Sequence, residues 1–130
     1  MNIVTEFNSI NVDVTLNEGV NLLSGDSGTG KTLLMQVVEF YCLENDIRYA
    51  FINYRQARYT FEQIISDCKG AEMILIDNAD LFITEELMKE LKKIGKYILI
   101  SLKDATKIDA SHITEFLVHY ENRRLRLEEI

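Results

Sequence analysis

The chain has 130 residues, of which 47% are hydrophobic and 27% charged, and its formal net charge is −7. These values are ordinary for one globular domain that buries its own core. No apolar run approaches the roughly 20 residues of a membrane span, and the N-terminus lacks the basic-then-apolar order of a signal peptide. The acidic balance creates no overall attraction to nucleic acid, although it leaves room for a local basic patch. We therefore expect a cytoplasmic protein with no membrane segment.

Two segments at the start of the chain alternate apolar and polar residues. Residues 3–7 and 10–16 follow this pattern, which is typical of half-buried antiparallel strands. Asn8 and Ser9 between them are residues that favour turns. The sequence therefore predicts an N-terminal antiparallel strand pair.

The next segment matches the pattern G-x-x-x-x-G-K-[ST] without a mismatch. An apolar strand candidate, residues 20–23, precedes it, and apolar residues at helical spacing follow it, which is the setting that this pattern needs. Its glycines allow a tight turn that presents backbone N–H groups to a polyphosphate, close to the positive end of the following helix. The predicted phosphate-binding residues are Gly25, Asp26, Ser27, Gly28, Thr29, Gly30, Lys31 and Thr32.

Two side chains at the end of this segment have distinct expected roles. Lys31 would reach the β- and γ-phosphates of a nucleoside triphosphate, and the hydroxyl of Thr32 would ligate Mg²⁺. The sequence thus predicts both a nucleotide and a metal ion as ligands.

After this segment, helix and strand patterns alternate, as in a parallel sheet that is covered on both faces. The predicted helices end near Glu44, Lys69 and Gly95, and the last of them begins at Thr84 as a possible cap. The predicted strands cover residues 49–53, 73–76 and 97–100. The expected fold class is α/β.

The segment from residue 111 to residue 130 allows two interpretations. The apolar residues after Ser111 have helical spacing, with Ser111 as the cap. The same residues also alternate as in a strand, and Leu125 and Leu127 continue this alternation after a turn. We favour a β-hairpin, because β-branched and aromatic residues are frequent here.

Asp77 follows directly after the buried strand candidate at 73–76. Ligand chemistry in an α/β sheet lies at the carboxyl ends of the strands. An acidic residue at that position would hold Mg²⁺, through water, opposite Thr32. The pattern is weak by itself and becomes specific in combination with the phosphate-binding segment.

The residues around Asp77 determine whether hydrolysis is expected. Asn78 can orient a water molecule but cannot act as its base. Asp80 could act as the base, or it could cap the next segment. Ser101 ends a strand where its hydroxyl could sense the γ-phosphate or hold water, or could simply satisfy the backbone. With Lys31 and Asp77, these residues form the predicted catalytic set, and we expect hydrolysis to be slow or to depend on a partner.

Side chains outside these motifs give weaker signals. Phe7, Tyr54 and Tyr59 are candidates for stacking on adenine, although packing is the more common role for each. Cys42 and Cys68 are expected to be buried free thiols rather than a disulfide or a metal pair.

Three segments together resemble the P-loop ATPases that have an additional strand between the phosphate-loop strand and the strand of the Mg²⁺-binding acid, namely residues 25–32, 74–78 and 98–101. This group includes the ABC-type, RecA-like and AAA+ ATPases. The resemblance covers about residues 19–104 and implies a mostly parallel sheet of order 5-1-4-3-2, flanked by helices, with Ser101 on the inserted strand. We expect residues 1–130 to form a single nucleotide-binding domain.

The sequence resembles two different families within that group. Residues 74–82 look like the pattern of AAA+ replication initiators and helicase loaders, whereas the leading strand pair and the terminal hairpin look more like an ABC-type domain. However, there is no LSGGQ-like signature, no glutamate follows Asp77, and no switch histidine follows residues 97–100. The roles that those families give to these parts do not carry over. A GTPase is disfavoured because residues 77–80 lack the DxxG glycine and no N/T-K-x-D motif is present.

We therefore expect an ATP- and Mg²⁺-binding protein. It would be a slow or partner-stimulated ATPase that acts as a nucleotide-controlled module with a protein partner or as a homo-oligomer. Arginines at positions 123, 124 and 126 are by default solvated, but they could also serve as an arginine finger or a small nucleic-acid patch. The alternatives to an ATPase are a nucleotide-binding switch or scaffold without turnover, and a small-molecule phosphotransferase.

Overall fold

The computed structural model describes residues 1–25, 30–53, 60–103, 108 and 112–130. These residues contain eight strands, three α-helices and a short 3-10 turn over Ala79–Leu81. The elements in chain order are β1 (Asn2–Phe7), β2 (Ile10–Thr15), β3 (Gly19–Ser24), α1 (Lys31–Glu44), β4 (Tyr49–Ile52), α2 (Phe61–Cys68), β5 (Met73–Ile76), α3 (Glu85–Ile94), β6 (Tyr97–Ser101), β7 (Ile113–Glu121) and β8 (Arg124–Glu129). None of the helices in the described ranges is long and apolar enough to cross a membrane.

The strands form one mixed sheet in the order β1-β2-β8-β7-β3-β6-β5-β4. The five strands β7-β3-β6-β5-β4 are parallel neighbours. Numbered from β3, these five have the expected order 5-1-4-3-2, and Ser101 ends the inserted strand β6. The complete sheet differs from this expectation because β8, β2 and β1 extend it beyond β7. The antiparallel pairing of β7 with β8 joins this extension to the five parallel strands, and a short parallel pairing of β2 with β8 attaches the N-terminal strand pair.

Both faces of the central strands are buried. In β5, Ile74 and Ile76 join the apolar cluster that contains α2 and α3, while Met73 and Leu75 join the cluster that contains α1. Strands covered by helices on both faces have continuous apolar sequences. The sequences of β5 and β6 are therefore continuously apolar because both faces of these strands are buried.

The added strands enclose α1. Ile3 of β1, Val14 of β2, Phe116 of β7 and Leu125 of β8 belong to the same buried cluster as the inner face of α1. The helix thus packs against the parallel strands and also against the strands that extend the sheet. This arrangement places the β7–β8 hairpin beside the beginning of α1.

Local sequence explains where α2 and α3 begin. At α2, the Thr60 hydroxyl accepts the Gln63 N–H at 3.2 Å, and the Gln63 side chain accepts the Thr60 N–H at 3.0 Å. This reciprocal capping box satisfies two of the helix's free donors. At α3, the Thr84 hydroxyl accepts the Leu87 N–H at 3.1 Å, so the predicted cap is confirmed.

The C-terminal segment is a hairpin, and the helical alternative is wrong. Asn122 and Arg123 connect β7 to β8 with φ of 52° and 58°. A two-residue turn with both φ positive matches the twist of the flanking strands. Asn8 and Ser9 form the corresponding turn between β1 and β2, with φ of 49° and 64°. Ser111, the cap proposed for the helix, lies outside the described residues.

A buried asparagine fixes the entry into β3. Asn21 is 0% exposed, and its Oδ1 accepts the Asn17 N–H at 2.9 Å. Its amide donates to the carbonyls of Asn17 at 2.8 Å and of Ile98 at 3.2 Å. A buried amide with these partners avoids the penalty of an unsatisfied polar group and ties the bend before β3 to β6.

Candidate functional site

The predicted phosphate-binding segment connects β3 to α1. Gly25 and Gly30 have φ of 114° and 104°, a region that side chains other than glycine rarely adopt. Gly30 is the N-cap residue of α1, which begins at Lys31, and the first helical hydrogen bond runs from the Leu34 N–H to the Gly30 carbonyl at 2.9 Å. The N–H groups of the first turn lie outside that ladder. Together with the helix dipole, they favour an anion at this end of α1.

Four of the predicted phosphate-binding residues are described. Gly25, Gly30, Lys31 and Thr32 are in place at the two ends of the segment, whereas residues 26–29 (Asp26, Ser27, Gly28 and Thr29) lie outside the described part of the chain. The Lys31 ammonium donates a 2.6 Å hydrogen bond to the Gly25 carbonyl. The positive charge is therefore held against the phosphate-binding segment.

Thr32 and Asp77 meet, as the sequence predicted. The Thr32 hydroxyl donates to Asp77 Oδ2 at 3.0 Å. Asp77 follows β5 and is only 5% exposed, and its N–H donates to the Ile52 carbonyl of β4 at 2.9 Å. A hydroxyl and a carboxylate are hard oxygen donors, which fit Mg²⁺. That ion is commonly bound by one or two carboxylates with water and substrate phosphates rather than by a complete protein cage.

Ser101 supports this carboxylate from the neighbouring strand. Its hydroxyl donates to Asp77 Oδ1 at 2.7 Å and accepts the Asn78 N–H at 2.9 Å. Ser101 is 2% exposed, and Asn78 has a left-handed backbone, with φ of 52°. The hydroxyl therefore stabilises both the carboxylate and the sharp turn after β5. The sequence placed Ser101 near the site but did not indicate this bond to Asp77.

Asp80 lies in the 3-10 turn after β5. Its two carboxylate oxygens accept the Lys103 N–H, each at 3.0 Å. The residue that caps α3 is Thr84. Asp80 instead ties the turn after β5 to the segment after β6. Its role as a base stays a prediction.

These elements border an open cleft of about 470 Å³. Its described lining residues are Gly30, Lys31, Thr32, Leu33, Asp77, Asn78, Lys103 and Tyr120. Five of them were candidates from the sequence. Lys103 and Tyr120 were not recognised, because each comes from a distant strand end and belongs to no short motif.

None of the aromatic residues that the sequence suggested for adenine stacking is among the described lining residues of the cleft. Phe7 packs against Phe40 of α1, with ring centroids 5.3 Å apart, and is partly buried against the α1 cluster, so it has the packing role that was the more common alternative. Tyr54 and Tyr59 lie outside the described residues. The expectation for the thiols is confirmed, since Cys42 and Cys68 are both buried and free.

Comparison with solved structures identifies the fold. AMPPCP-bound DnaA from Aquifex aeolicus superimposes with a TM-score of 0.53 and 16% sequence identity, covering 67% of this chain and 33% of that chain. A DNA replication initiation factor has a TM-score of 0.52 and 17% identity, with coverage of 67% and 32%. The chain has a P-loop NTPase fold.

The P-loop NTPase fold is shared at low identity and over part of the compared proteins. The chain spans about one third of the length of these two structures. No protein-family model matches the sequence, and a search of curated proteins gives no match.

Proposed function

We propose that the protein binds ATP with Mg²⁺ and acts as a nucleotide-controlled module, with slow or partner-stimulated ATPase activity. The observation that carries this proposal is the hydrogen bond from Thr32 to Asp77. It brings the end of the phosphate-binding segment and the acid after β5 to one cleft. The nucleotide bound to the DnaA structure is consistent with such a ligand.

Different residues of the cleft would bind the phosphates and the metal ion. The N–H groups of the first turn of α1 and the Lys31 ammonium would bind the phosphates. Thr32 and Asp77 would hold Mg²⁺, which offsets the negative charge of the β- and γ-phosphates when it is bound. Ser101 keeps the Asp77 carboxylate in place.

Slow hydrolysis follows from the chemistry near Asp77. Asn78 can position water but cannot remove its proton. Asp80 accepts the Lys103 N–H with both carboxylate oxygens and is not among the described residues that line the cleft. Both observations support slow hydrolysis. In an assembly, an exposed arginine of the β7–β8 hairpin, or a group from a partner protein, would stabilise the negative charge of the transition state and so accelerate hydrolysis.

A switch without turnover is the second candidate, and the same observation on Asn78 and Asp80 favours it. It would bind ATP and capture its partner but release no phosphate. The two candidates share the binding site and differ only in the fate of the γ-phosphate.

The test has two stages. Calorimetric titration with ATP and Mg²⁺ should show binding for the wild type and for Lys92→Ala, an exposed lysine on α3, but not for Lys31→Ala. If the Lys31 variant binds as well as the wild type, the proposed site is wrong.

Phosphate release is then measured over a series of protein concentrations. A rate per molecule that rises with concentration and disappears in Lys31→Ala supports an ATPase completed by self-association. Binding without release, at every concentration, excludes the stand-alone ATPase. Addition of candidate partners would then separate a partner-stimulated ATPase from a switch.

A further inference from the structure

Tyr120 stands directly beside the phosphate-binding segment. β7 pairs with β3 as far as Ser24 and Leu117, and it then continues to Glu121, so Tyr120 lies beyond the end of β3. A Cβ atom placed on Gly30 would be 3.2 Å from the Tyr120 Cβ. The backbone of β7 therefore passes in contact with the start of α1.

The ring of Tyr120 is open to the cleft. Tyr120 lines the cleft together with Lys31, Thr32 and Leu33, and it is 45% exposed. The other large hydrophobic residues with strong exposure in the described ranges (Val4, Leu43 and Ile130) are not among the lining residues. An exposed aromatic ring at the cleft is thus a specific feature of this site.

The sheet order places Tyr120 and Asp77 on opposite sides of the phosphate-binding segment. β7 is next to β3 on one side, whereas β5, which precedes Asp77, is on the other side beyond β6. Neighbouring strands are about 4.8 Å apart, so β5 and β7 are about 14 Å apart along the sheet. A nucleotide whose terminal phosphate lies near Asp77 and whose other phosphates lie over the start of α1 brings its nucleoside to the side of β7.

We propose that Tyr120 is the base-binding residue of this site, with its ring stacked on a purine base. This inference rests on the proposed nucleotide binding and adds the part of the ligand that the phosphate motif does not address. Leu33, which is partly buried in the same cleft, provides an apolar neighbour. Stacking does not read the hydrogen-bonding edge of a base, so adenine and guanine nucleotides should bind with similar affinity.

The first test compares ligands with and without a base. ATP and inorganic tripolyphosphate, each with Mg²⁺, are titrated into the wild type, Tyr120→Ala and Tyr120→Phe. Tyr120→Ala keeps the Cβ that contacts Gly30, so it removes mainly the exposed ring. We expect it to weaken ATP binding about tenfold, as for other aromatic stacking residues, and to leave tripolyphosphate binding unchanged. Tyr120→Phe should bind both ligands as the wild type does.

Two outcomes would overturn this role for Tyr120. One is unchanged ATP affinity in Tyr120→Ala, and the other is an equal loss for ATP and tripolyphosphate, which would mean general damage to the phosphate site. If the wild type binds neither ligand, the proposed function itself fails. If it binds both and Tyr120→Ala has no selective effect, only the base-binding role fails.

The second test uses a spectroscopic reporter. The chain contains no tryptophan, so Tyr120→Trp introduces a single indole at the position of the proposed contact. ATP and GTP with Mg²⁺ should both change its fluorescence, while tripolyphosphate should not, and Lys31→Ala in the same background should abolish the response. A response to tripolyphosphate as large as that to ATP would contradict stacking.

Discussion

Thr32 and Asp77 are joined by a 3.0 Å hydrogen bond from the Thr32 hydroxyl to the Asp77 carboxylate. One residue belongs to the first turn of α1, and the other follows β5. The contact gives the proposed Mg²⁺ site two protein donors that can be altered separately.

The first prediction concerns the metal dependence of ATP binding. Thr32→Val removes the hydroxyl with little change of shape, whereas Thr32→Ser keeps it. We expect Mg²⁺ to strengthen ATP binding in the wild type and in Thr32→Ser. In Thr32→Val this Mg²⁺-dependent increase in ATP affinity should be smaller by about 10- to 100-fold, because a bond to a charged group contributes about 1.5–3 kcal/mol. Titrations with Mg²⁺ and with a chelator measure the difference. An equal Mg²⁺ effect in Thr32→Val would exclude Thr32 as a ligand.

The second prediction concerns the support of Asp77. Ser101→Ala removes the hydroxyl that donates to Asp77 and accepts the Asn78 N–H, and it leaves the buried Asp77 carboxylate and the partly buried Asn78 N–H without that partner. We expect the free energy of unfolding to fall by about 1–3 kcal/mol, measured by urea denaturation.

Ser66→Ala, at an exposed position of α2, is the control and should change stability by less than about 0.5 kcal/mol. Equal stabilities of the two variants would show that the hydrogen bonds of Ser101 to Asp77 and Asn78 do not stabilise the fold.

The third prediction concerns the contact between the hairpin and the phosphate-binding segment. Gly30 and Gly19 both have positive φ, 104° and 89°, but only Gly30 has near neighbours for an added Cβ. Alanine at either position introduces backbone strain of about 1–3 kcal/mol. Gly30→Ala also places a methyl group 3.2 Å from Tyr120 and 3.4 Å from Leu125.

We therefore expect Gly30→Ala to be the less stable variant in denaturant unfolding and to lose ATP affinity, while Gly19→Ala keeps it. If the two variants have the same stability, the steric contact between the added methyl group and the hairpin does not lower the free energy of unfolding.

The fourth prediction concerns alkaline pH. Burial, with a smaller contribution from nearby carboxylates, raises the pKa of Cys42 and of Cys68 from 9.0 to about 11. In the unfolded chain the thiols ionise near the ordinary value, so the folded state binds more protons between these two pH values. The contribution of the neutral thiols to stability is fully present below pH 9 and is lost as the pH rises through about 11.

Urea denaturation at several alkaline pH values measures this loss. The double variant Cys42→Ala/Cys68→Ala should have a shallower decline over the same range, because tyrosine and lysine ionisation is common to both proteins. Parallel declines would show that the thiols do not contribute. In the folded protein, both thiols should also resist labelling by thiol reagents, since the thiolate is the reactive form.

The prediction of the site from the sequence was strongest where a motif is local. Gly30, Lys31 and Thr32 are adjacent, and their positions follow from the turn between a strand and a helix. Asp77 was predictable because a buried parallel strand delivers its next residue to the same edge of the sheet. The meeting of Thr32 and Asp77 follows from these two rules together.

Other parts of the site had no local signal. Tyr120 reaches the cleft because β7 continues past the end of β3, and Lys103 is placed by the bond of its N–H to Asp80. Both depend on which strands are neighbours and on how far each one extends. For Phe7 the more common role, packing, is the one observed, since β1 lies against α1 and its ring packs on Phe40.

The sequence by itself determined the type of most elements, the hairpin turns and the Thr84 cap of α3, because residue spacing and turn chemistry act over a few positions. The order of the five parallel strands was expected only from the resemblance to the P-loop ATPases with an additional strand. Only the tertiary structure decided that β2 pairs with β8, that the extended sheet encloses α1, and that Ser101 holds Asp77. The physical reason is that these contacts depend on packing between distant segments, for which hydrophobic period and turn residues specify no partner.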